Sequence, residues 1–230
     1  MNFPWLVLGV LGAAALSGAA ARLTRQYAAA AIAGSAAILL LHSIFYLRYT
    51  SDDAYISYRY ARNLSDGLGL VWNPGEHVEG YSNFLWVEIL AGLHYVGADI
   101  VLSGRWLGFA LAVVAAGGTY LLTRQLVDDP AGRIAGLVAA LLLASSGTWA
   151  LWASAGLEPP LFATLTLAAV LLHARERDRA CAPASGAVWA LAAMTRPDGL
   201  VLVAVSGAFK IGEAVARIRA ATGTLRPLAR

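Results

Sequence analysis

The chain has 230 residues, of which 59% are hydrophobic and only 13% are charged, with a formal net charge of +3. A soluble domain carries about 25% charged residues, so this composition and the long uncharged runs argue against a soluble domain. They predict an all-α polytopic membrane protein. The basic residues form no stripe with interleaved aromatic residues, which argues against a nucleic-acid partner. The single cysteine, Cys181, excludes an intrachain disulfide and a Cys-based metal cluster.

Apolar uncharged runs predict the membrane spans in chain order. Residues 3–21 are predicted to form the first span. A cleaved signal peptide is the alternative, because residues 19–21 resemble a cleavage site, but no basic residue precedes the apolar run. The later spans are predicted over residues 27–47, 106–123, 134–152 and 161–172, followed by two short apolar pieces, 184–194 and 200–209.

The distribution of basic residues predicts the orientation and the number of spans. Residues 184–212 can form an out-and-back pair of short helices or one helix broken at Pro197. With the pair, 12 of the 17 lysines and arginines fall on one side and five on the other. That excess marks the cytoplasmic side. The prediction is therefore a module of about seven spans over residues 1–212, an outer loop over 48–102, and a basic cytoplasmic tail over 213–230.

The predicted outer loop opens with two adjacent carboxylates, Asp52 and Asp53. Ser51 can cap a helix whose first turn they occupy, where negative charge complements the helix dipole. One face of this helix would carry residues at i, i+3, i+4 and i+7, namely Tyr55, Tyr58, Arg59 and Arg62. Residues 84–96 are predicted to form a short interfacial helix lying on the membrane, because the segment is short and contains ionisable side chains.

Acidic and basic residues from three separate predicted outer loops fall at the same membrane boundary: Asp52, Asp53, Glu158, Arg196 and Asp198. An ionisable cluster at such a boundary is a functional-site hypothesis. Transfer of a sugar from a lipid-linked phosphate fits these residue types, because a carboxylate can take the proton of an acceptor hydroxyl. Arginine offers a bidentate fork to phosphate oxygens. A divalent cation held by Asp52 or Asp53 can share that task.

Each of these residues also has a purely structural interpretation. The paired aspartates can simply favour a helix N-terminus, and Arg59 and Arg62 can form a solvated face or contact lipid headgroups. Arg196 and Asp198 can pair with each other, and Glu158 can be a turn residue before two prolines. The tyrosines can be interfacial anchors. The residues alone therefore predict a membrane protein with an outward polar site, and no particular reaction.

Three motifs carry the interpretation further. The first combines DDAYISYRYARN at residues 52–63, GLGLVWNPGE at 67–76 and VEGYSNFLW at 78–86. The others are SAGLEPPLF at 154–162 and TRPDGL at 195–200. Together they resemble the first outer loop and two later motifs of a family of bacterial C-type (GT-C) membrane glycosyltransferases. That family includes the mycobacterial terminal arabinofuranosyltransferases and related flagellar motor-control membrane proteins.

The resemblance implies an inverting transferase of the bacterial cytoplasmic membrane, with its active site facing the periplasm or exterior. Its donor would be a polyprenyl-phosphate sugar and its acceptor a cell-envelope glycan or lipid. The residues matching the motifs lead to assigned roles: catalysis by Asp52, Asp53 and Glu158; donor-phosphate binding by Arg59, Arg62 and Arg196; substrate binding by Tyr55, Tyr58, Glu79, Tyr81, Asn83 and Asp198; and binding of a Mg or Mn ion, if one is used, by Asp52 and Asp53.

The chain departs from the resembled family in two ways. Family members are considerably longer, and this chain carries an additional apolar segment, residues 3–21, before the span that leads into the acidic loop. We therefore expect a short form, a truncated product, or one half of a split protein whose second chain supplies further spans. The alternative function is a non-catalytic membrane assembly or flagellar motor-associated protein that retains the fold. A transporter fits less well, because the charged groups cluster at the outer edge.

Overall fold

The computed structural model describes residues 12, 15, 26–46, 49–127, 130–177 and 184–222. Within these ranges the chain forms helices and no β-strand, apart from one isolated bridge between Asn73 and Glu76. This confirms the all-α class. The helices are, in chain order, α1 (Tyr27–Ser43, followed by a 3-10 turn, Ile44–Tyr46), α2 (Asp52–Ser65), α3 (Phe84–Tyr95), α4 (Ile100–Leu126), α5 (Ala131–Ser145), α6 (Gly147–Ser154), α7 (Pro159–Arg177), α8 (Ala184–Thr195) and α9 (Gly199–Ala221).

Three described helical segments are long and apolar enough to cross a membrane: Tyr27–Tyr46, Ile100–Leu126 and Gly199–Arg219. A fourth span results if α5 and α6, which are bent by 65° at their junction, are counted together. The described part of the chain thus supports three to four spans and not about seven. The predicted span over residues 3–21 lies outside the described residues, apart from two isolated positions.

Two of the other predicted spans fall short for physical reasons. The span predicted at 161–172 lies in α7, whose last turn is charged through Arg175, Glu176 and Arg177. The piece predicted at 184–194 is α8, which has 12 residues and is about 18 Å long. The hydrocarbon core of a bilayer is about 30 Å thick. The helix α8 is therefore too short for a full span, whereas α7 is long enough but too polar.

The core is built around α4, which contacts α1, α3, α5, α6 and α7. Small side chains let the helices approach closely, and Ala112, Ala115 and Ala116 of α4 are fully buried. The tightest approach to α6 is at Gly108, where an added Cβ would lie 2.9 Å from the Ala153 carbonyl oxygen. This packing fixes the C-terminal end of α6 against the N-terminal half of α4.

The loop predicted to face outward, residues 48–102, which we call the outer loop after that prediction, is a packed unit joined to the turn between α6 and α7. Tyr60 and Trp86 are fully buried where α2 meets α3. The Trp86 indole and the Tyr58 hydroxyl both donate to the Gly156 carbonyl, at 3.2 and 3.3 Å. The helix α3, predicted to lie on the membrane surface, buries part of its apolar surface, including Val87, against protein. Protein contacts therefore hold this loop in place, and its position at the membrane surface stays a prediction.

The last two helices are separated by residues 196–198 and pack against each other. The out-and-back arrangement of residues 184–212 is therefore two helices and not one broken helix. However, α9 continues to Ala221, past residue 213, so the first part of the predicted basic tail is helical. Residues 223–230 of that tail lie outside the described residues.

Candidate functional site

A cavity of about 280 Å³ lies where the outer loop meets the α6–α7 and α8–α9 turns. We call it the Asp53 cavity. Residues from four parts of the chain line it: the first turns of α2, the loop before α3, the end of α6 with the following turn, and the turn after α8. Its polar and aromatic lining residues include Asp53, Ser57, Tyr81, Asn83, Trp152, Glu158 and Arg196. The cavity thus joins all three motifs that the sequence singled out.

The two adjacent aspartates occupy the exposed first turn of α2 but differ in position. Asp53 lines the cavity, whereas Asp52 does not. The Asp52 carboxylate accepts a hydrogen bond from the Asp53 backbone N–H at 3.1 Å. Ser51 occupies the N-cap position, yet its side chain makes no capping hydrogen bond, contrary to the prediction. Its backbone N–H donates instead to the Ala155 carbonyl at 3.2 Å, tying α2 to the α6–α7 turn.

Glu158 is the buried acid of the cavity, with 7% of its surface exposed. One carboxylate oxygen accepts from Arg196 Nη1 and the other from Asn83 Nδ2, each at 2.8 Å. The Asn83 side chain is held in turn by the Ser57 hydroxyl of α2. A buried carboxylate is tolerated when it is paired and hydrogen-bonded in this way. Because both oxygens are engaged, Glu158 is placed to orient its partners.

Arg196 lies between two carboxylates at the rim of the cavity. Besides Glu158, it donates to Asp198 from Nε at 3.3 Å and from Nη2 at 3.1 Å. A guanidinium has five N–H donors, so three are used by described residues and two remain for a ligand. Its side chain is 38% exposed, and its guanidinium carbon lies 5.9 Å from the Phe162 ring centroid. Asp198 is therefore a partner of Arg196 and does not itself line the cavity.

The two arginines of α2 predicted to bind donor phosphate lie elsewhere. Arg59 donates to the Trp72 carbonyl at 2.7 Å and to the Asn73 side chain at 2.8 Å. Its guanidinium also lies 4.6 Å from the Trp72 ring centroid. Arg62 is exposed and does not line the cavity. The helix α2 turns the face that carries Asp53 and Ser57 toward the cavity. Arg59 and Arg62 lie on a different face and therefore do not reach it.

Three of the residues predicted to bind substrate are also placed outside it. Tyr58 is buried, and its hydroxyl holds the Gly156 carbonyl. Burial, above all, raises the pKa of Tyr58 to about 12, so it remains a hydrogen-bond donor. Tyr55 is exposed and packs edge-on against Tyr58 at 5.5 Å between ring centroids. Glu79 is exposed and does not line the cavity.

Tyr81 and Asn83, in contrast, both line the cavity. The Tyr81 ring packs against Tyr60 at 4.6 Å between centroids. The Tyr60 hydroxyl donates to the Val78 carbonyl at 2.8 Å and accepts from the Gly80 N–H at 3.0 Å. These bonds fix the loop that carries Tyr81. Partial burial raises the pKa of the Tyr81 hydroxyl, which keeps it protonated.

Sequence reasoning missed Trp152 and Ser57 as lining residues. Trp152 was assigned to the end of a membrane span, yet it faces the cavity and is 37% exposed. A signal was available, because Trp152 lies two residues before the 154–162 motif. Ser57 lies one helical turn after Asp53, on the same face of α2.

The Mg or Mn ion predicted at Asp52 and Asp53 stays a prediction. In the part of the chain that the structure describes, no three His, Cys, Asp or Glu residues group closely enough to hold a metal ion. Both carboxylate oxygens of Glu158 already accept hydrogen bonds, from Arg196 and Asn83. We derive no step through a cation.

No family model matches this chain, and neither a curated protein nor a solved structure matches it. The likeness to the GT-C family consequently rests on the three motifs alone.

Proposed function

We propose that this chain is an integral membrane glycosyltransferase of the GT-C type. It would transfer a sugar from a polyprenyl-phosphate donor to a cell-envelope glycan or lipid acceptor, with inversion, in the Asp53 cavity. One observation carries the proposal. An exposed carboxylate, Asp53, shares a cavity with the buried Glu158 and its half-buried partner Arg196, although the three residues come from distant parts of the chain.

In this mechanism Asp53 is the general base. The acceptor hydroxyl loses its proton to the Asp53 carboxylate while its oxygen attacks the anomeric carbon of the donor sugar. The bond from that carbon to the phosphate oxygen breaks on the opposite face, so the configuration inverts and the lipid phosphate leaves with the electron pair. The two remaining N–H groups of Arg196 contact the phosphate as its charge develops. Glu158 positions Arg196 for that contact.

The charge balance of the cavity favours a donor with a single phosphate. One guanidinium, Arg196, and two carboxylates, Asp53 and Glu158, line the cavity, and Asp198 pairs with Arg196 outside it. A sugar linked through one phosphodiester carries one negative charge, whereas a diphosphate-linked sugar carries two and would be repelled more strongly. Two available N–H donors also match one pair of phosphate oxygens. The site therefore supports a polyprenyl monophosphate donor better than a diphosphate donor.

The cavity walls support a sugar as the transferred group. Tyr81 and Trp152 line the cavity from different elements and present partly exposed ring surface. Aromatic rings offer large rigid apolar surface to the C–H faces of a sugar. A volume of about 280 Å³ lies just below the usual range for small-molecule pockets, which run from about 300 to 1,000 Å³. The cavity is thus sized for one sugar ring together with a phosphate and not for a long glycan.

The placement of charge along α7 supports a cavity at one membrane surface. Glu158 precedes α7, and Glu176 lies in its last turn, about 27 Å further along the axis. This distance is close to the thickness of the hydrocarbon core. Basic residues cluster near the Glu176 end, including Arg175, Lys210 and Arg217. The positive-inside rule favours a cytoplasmic position for that end, which supports the proposal that the Asp53 cavity faces outward.

The test is turnover of labelled polyprenyl-phosphate pentose or hexose by purified membranes containing the full chain. The wild type should release the lipid phosphate and form an inverted glycoside. Removing the base, in Asp53→Asn, should lower the rate by about 100-fold or more. Glu79→Gln is the matched control, because this acid is exposed in the same loop but outside the cavity. Full turnover in Asp53→Asn would contradict the proposal.

A second function, a non-catalytic membrane assembly or flagellar motor-associated protein, is favoured by α9. Only 6% of its candidate span is buried, against 39% and 33% for the spans in α1 and α4. Such an exposed apolar helix suits contact with further membrane helices, including those of a second chain. A wild-type protein that copurifies with another membrane protein and turns over no polyprenyl-phosphate sugar would favour this function.

A further inference from the structure

A chain of buried hydrogen bonds connects α2 to the turn after α8 through the side chain of Asn83. The Asn83 Nδ2 group donates to Glu158 Oε2 at 2.8 Å and to Ser57 Oγ at 3.0 Å. Glu158 continues the chain to Arg196 through its other carboxylate oxygen. Ser57, Asn83 and Glu158 are only 3%, 6% and 7% exposed. Buried polar groups need protein partners, so each of these side chains constrains the next.

The side chain of Asn83 does not take the usual role of an asparagine at its position. Asn83 is the N-cap residue of α3, where an asparagine side chain commonly accepts a hydrogen bond from a backbone N–H of the first turn. Here the side chain makes no capping bond. It turns instead toward Glu158 and Ser57. The amide therefore serves the hydrogen-bond chain and does not cap its own helix.

The contact with Glu158 fixes the orientation of the Asn83 amide. A carboxylate only accepts hydrogen bonds, so the amide must present its nitrogen and not its oxygen to Glu158. The Asn83 carbonyl oxygen then faces the Ser57 hydroxyl, which donates to it at 3.2 Å. Asn83 lines the cavity, yet the polar atoms of its side chain are engaged by protein groups. This arrangement suits a residue that acts on Glu158 and not one that binds substrate directly.

We propose that Asn83 is a positioning residue that sets the orientation of Arg196 through Glu158. By holding one carboxylate oxygen, Asn83 leaves the other directed at Arg196 Nη1. Ser57 lies one turn after Asp53 on α2, so the same contacts fix the guanidinium relative to the Asp53 carboxylate. The inference rests on the proposed function, because it takes Arg196 as the group that contacts the donor phosphate.

The variant that tests this role is Asn83→Asp, which keeps the shape of the side chain but places a second carboxylate against Glu158. Two such carboxylates share one proton at low pH and repel each other once both are ionised. Other charged or titratable groups that line this cavity or pair at its rim are common to the wild type and the variant: Asp53, Tyr81, Arg196 and Asp198. The ratio of the two affinities therefore isolates the new carboxylate pair.

The experiment measures equilibrium binding of a labelled polyprenyl methyl phosphate to the purified full chain in detergent. This probe is a phosphodiester with one negative charge, like the proposed donor, but it has no sugar to transfer. At pH 5 Asn83→Asp should bind within about threefold of the wild type, because a shared proton restores the hydrogen bond to Glu158. At pH 8 it should bind about tenfold more weakly or worse, because the ionised pair turns Glu158 away from Arg196.

The matched control is Asn73→Asp. Asn73 also donates to a glutamate, from Nδ2 to Glu76 Oε2 at 2.7 Å, but this exposed pair lies outside the cavity. The control should bind the probe as the wild type does at both pH values. Arg196→Gln should weaken binding by about tenfold or more at both, which shows that the probe reports on this guanidinium.

Two further variants keep the test valid if Asn83→Asp fails to fold at pH 8. Ser57→Ala adds no charge but releases the Asn83 amide, so it should weaken binding by about threefold at both pH values. Asn83→Asp combined with Glu158→Gln exchanges the amide and the carboxylate. Its affinity relative to the wild type should be the same at pH 5 and pH 8, because no carboxylate pair remains. Size-exclusion chromatography and circular dichroism check the folding of each variant.

Three results would overturn the inference. The first is wild-type affinity of a folded Asn83→Asp or Ser57→Ala variant at both pH values. The second is a pH-dependent loss of equal size in Asn73→Asp. The third is a wild type that does not bind the probe. Because the assay needs no turnover, a wild type that binds in the expected pattern but transfers no sugar supports this inference and contradicts the proposed function alone.

Discussion

Two glutamates at opposite ends of α7 are similar in their contacts but differ in their surroundings. Glu158 pairs with Arg196 and accepts from Asn83, and Glu176 pairs with Lys210 and accepts from Ser185. Their side chains are 9% and 8% exposed. Burial and pairing of a carboxylate are therefore not in themselves the mark of a reactive site.

What distinguishes the two ends is the rest of each cavity. The cavity of about 380 Å³ at the Glu176 end is lined by alternating acids and bases from α7 and α9. In the described ranges no Tyr, Trp or Phe lines it. The Asp53 cavity has an exposed acid and two aromatic walls, contributed by four parts of the chain. The Glu176 end is arranged to hold α8 and α9 to α7, whereas the Glu158 end combines its ion pair with the exposed Asp53 carboxylate and two aromatic side chains.

The largest expected effect is one that both ends share. Glu158→Ala and Glu176→Ala should each lower the free energy of unfolding by about 3 kcal/mol, because each leaves a basic partner without its buried carboxylate. Denaturant titration of the purified chain in detergent measures this. An unchanged stability in either variant would mean that the ion pair of that glutamate does not stabilise the fold.

Replacing each glutamate by glutamine should affect the rate of sugar transfer at one end of α7 only. Glu158→Gln keeps the shape but weakens the hold on Arg196, so sugar transfer should fall by about tenfold. Glu176→Gln should leave transfer within about twofold of the wild type, because its contacts lie at the far end of α7. Equal losses in the two variants would indicate a shared structural effect and would remove the special role of Glu158.

The next largest effect tests how the outer loop is joined to the α6–α7 turn. Gly156 has φ of +82°, and an added Cβ would lie 2.0 Å from the Tyr58 hydroxyl. Gly156→Ala should therefore destabilise the chain by about 2 kcal/mol. Gly147→Ala is the control, since a Cβ there meets no atom within 4 Å. Thermal unfolding that does not distinguish the two variants would contradict this account of the joint.

The smallest effect concerns the aromatic wall. Trp152→Ala should raise KM for the donor by about fivefold with little change in kcat, because stacking contributes about 1 kcal/mol to binding. Tyr95→Ala, at an exposed aromatic residue outside the cavity, should change neither constant. A fall in kcat without a change in KM would show that Trp152 acts on the reaction and not on sugar binding.

Much of the fold followed from local patterns in the sequence. The apolar runs predicted α1, α4 and the α5–α6 segment, because their hydrophobicity is continuous and needs no knowledge of neighbours. The number of spans could not be predicted from these local patterns. Short apolar runs such as α8 meet the composition of a span but not its length, and a 65° bend divides one predicted span into α5 and α6.

The residues of the candidate site could likewise be predicted only in part. Motif positions pointed to Asp53, Glu158 and Arg196, which line one cavity. Periodicity could not say which face of α2 turns inward, because Arg59 and Arg62 share a face as regular as the one carrying Asp53 and Ser57. That choice depends on tertiary contacts, namely the Tyr58 bond to Gly156 and the Arg59 bonds to Trp72 and Asn73.

The measurement that tests the central claim most directly compares the adjacent aspartates in one assay. Membranes with Asp53→Asn and with Asp52→Asn are incubated with the same labelled polyprenyl-phosphate sugar, at matched protein levels. Because only Asp53 lines the cavity, Asp53→Asn should lose about 100-fold or more in rate, while Asp52→Asn should stay within about threefold of the wild type. Equal rates in the two variants, or a greater loss in Asp52→Asn, would contradict the assignment of the Asp53 cavity as the site of sugar transfer.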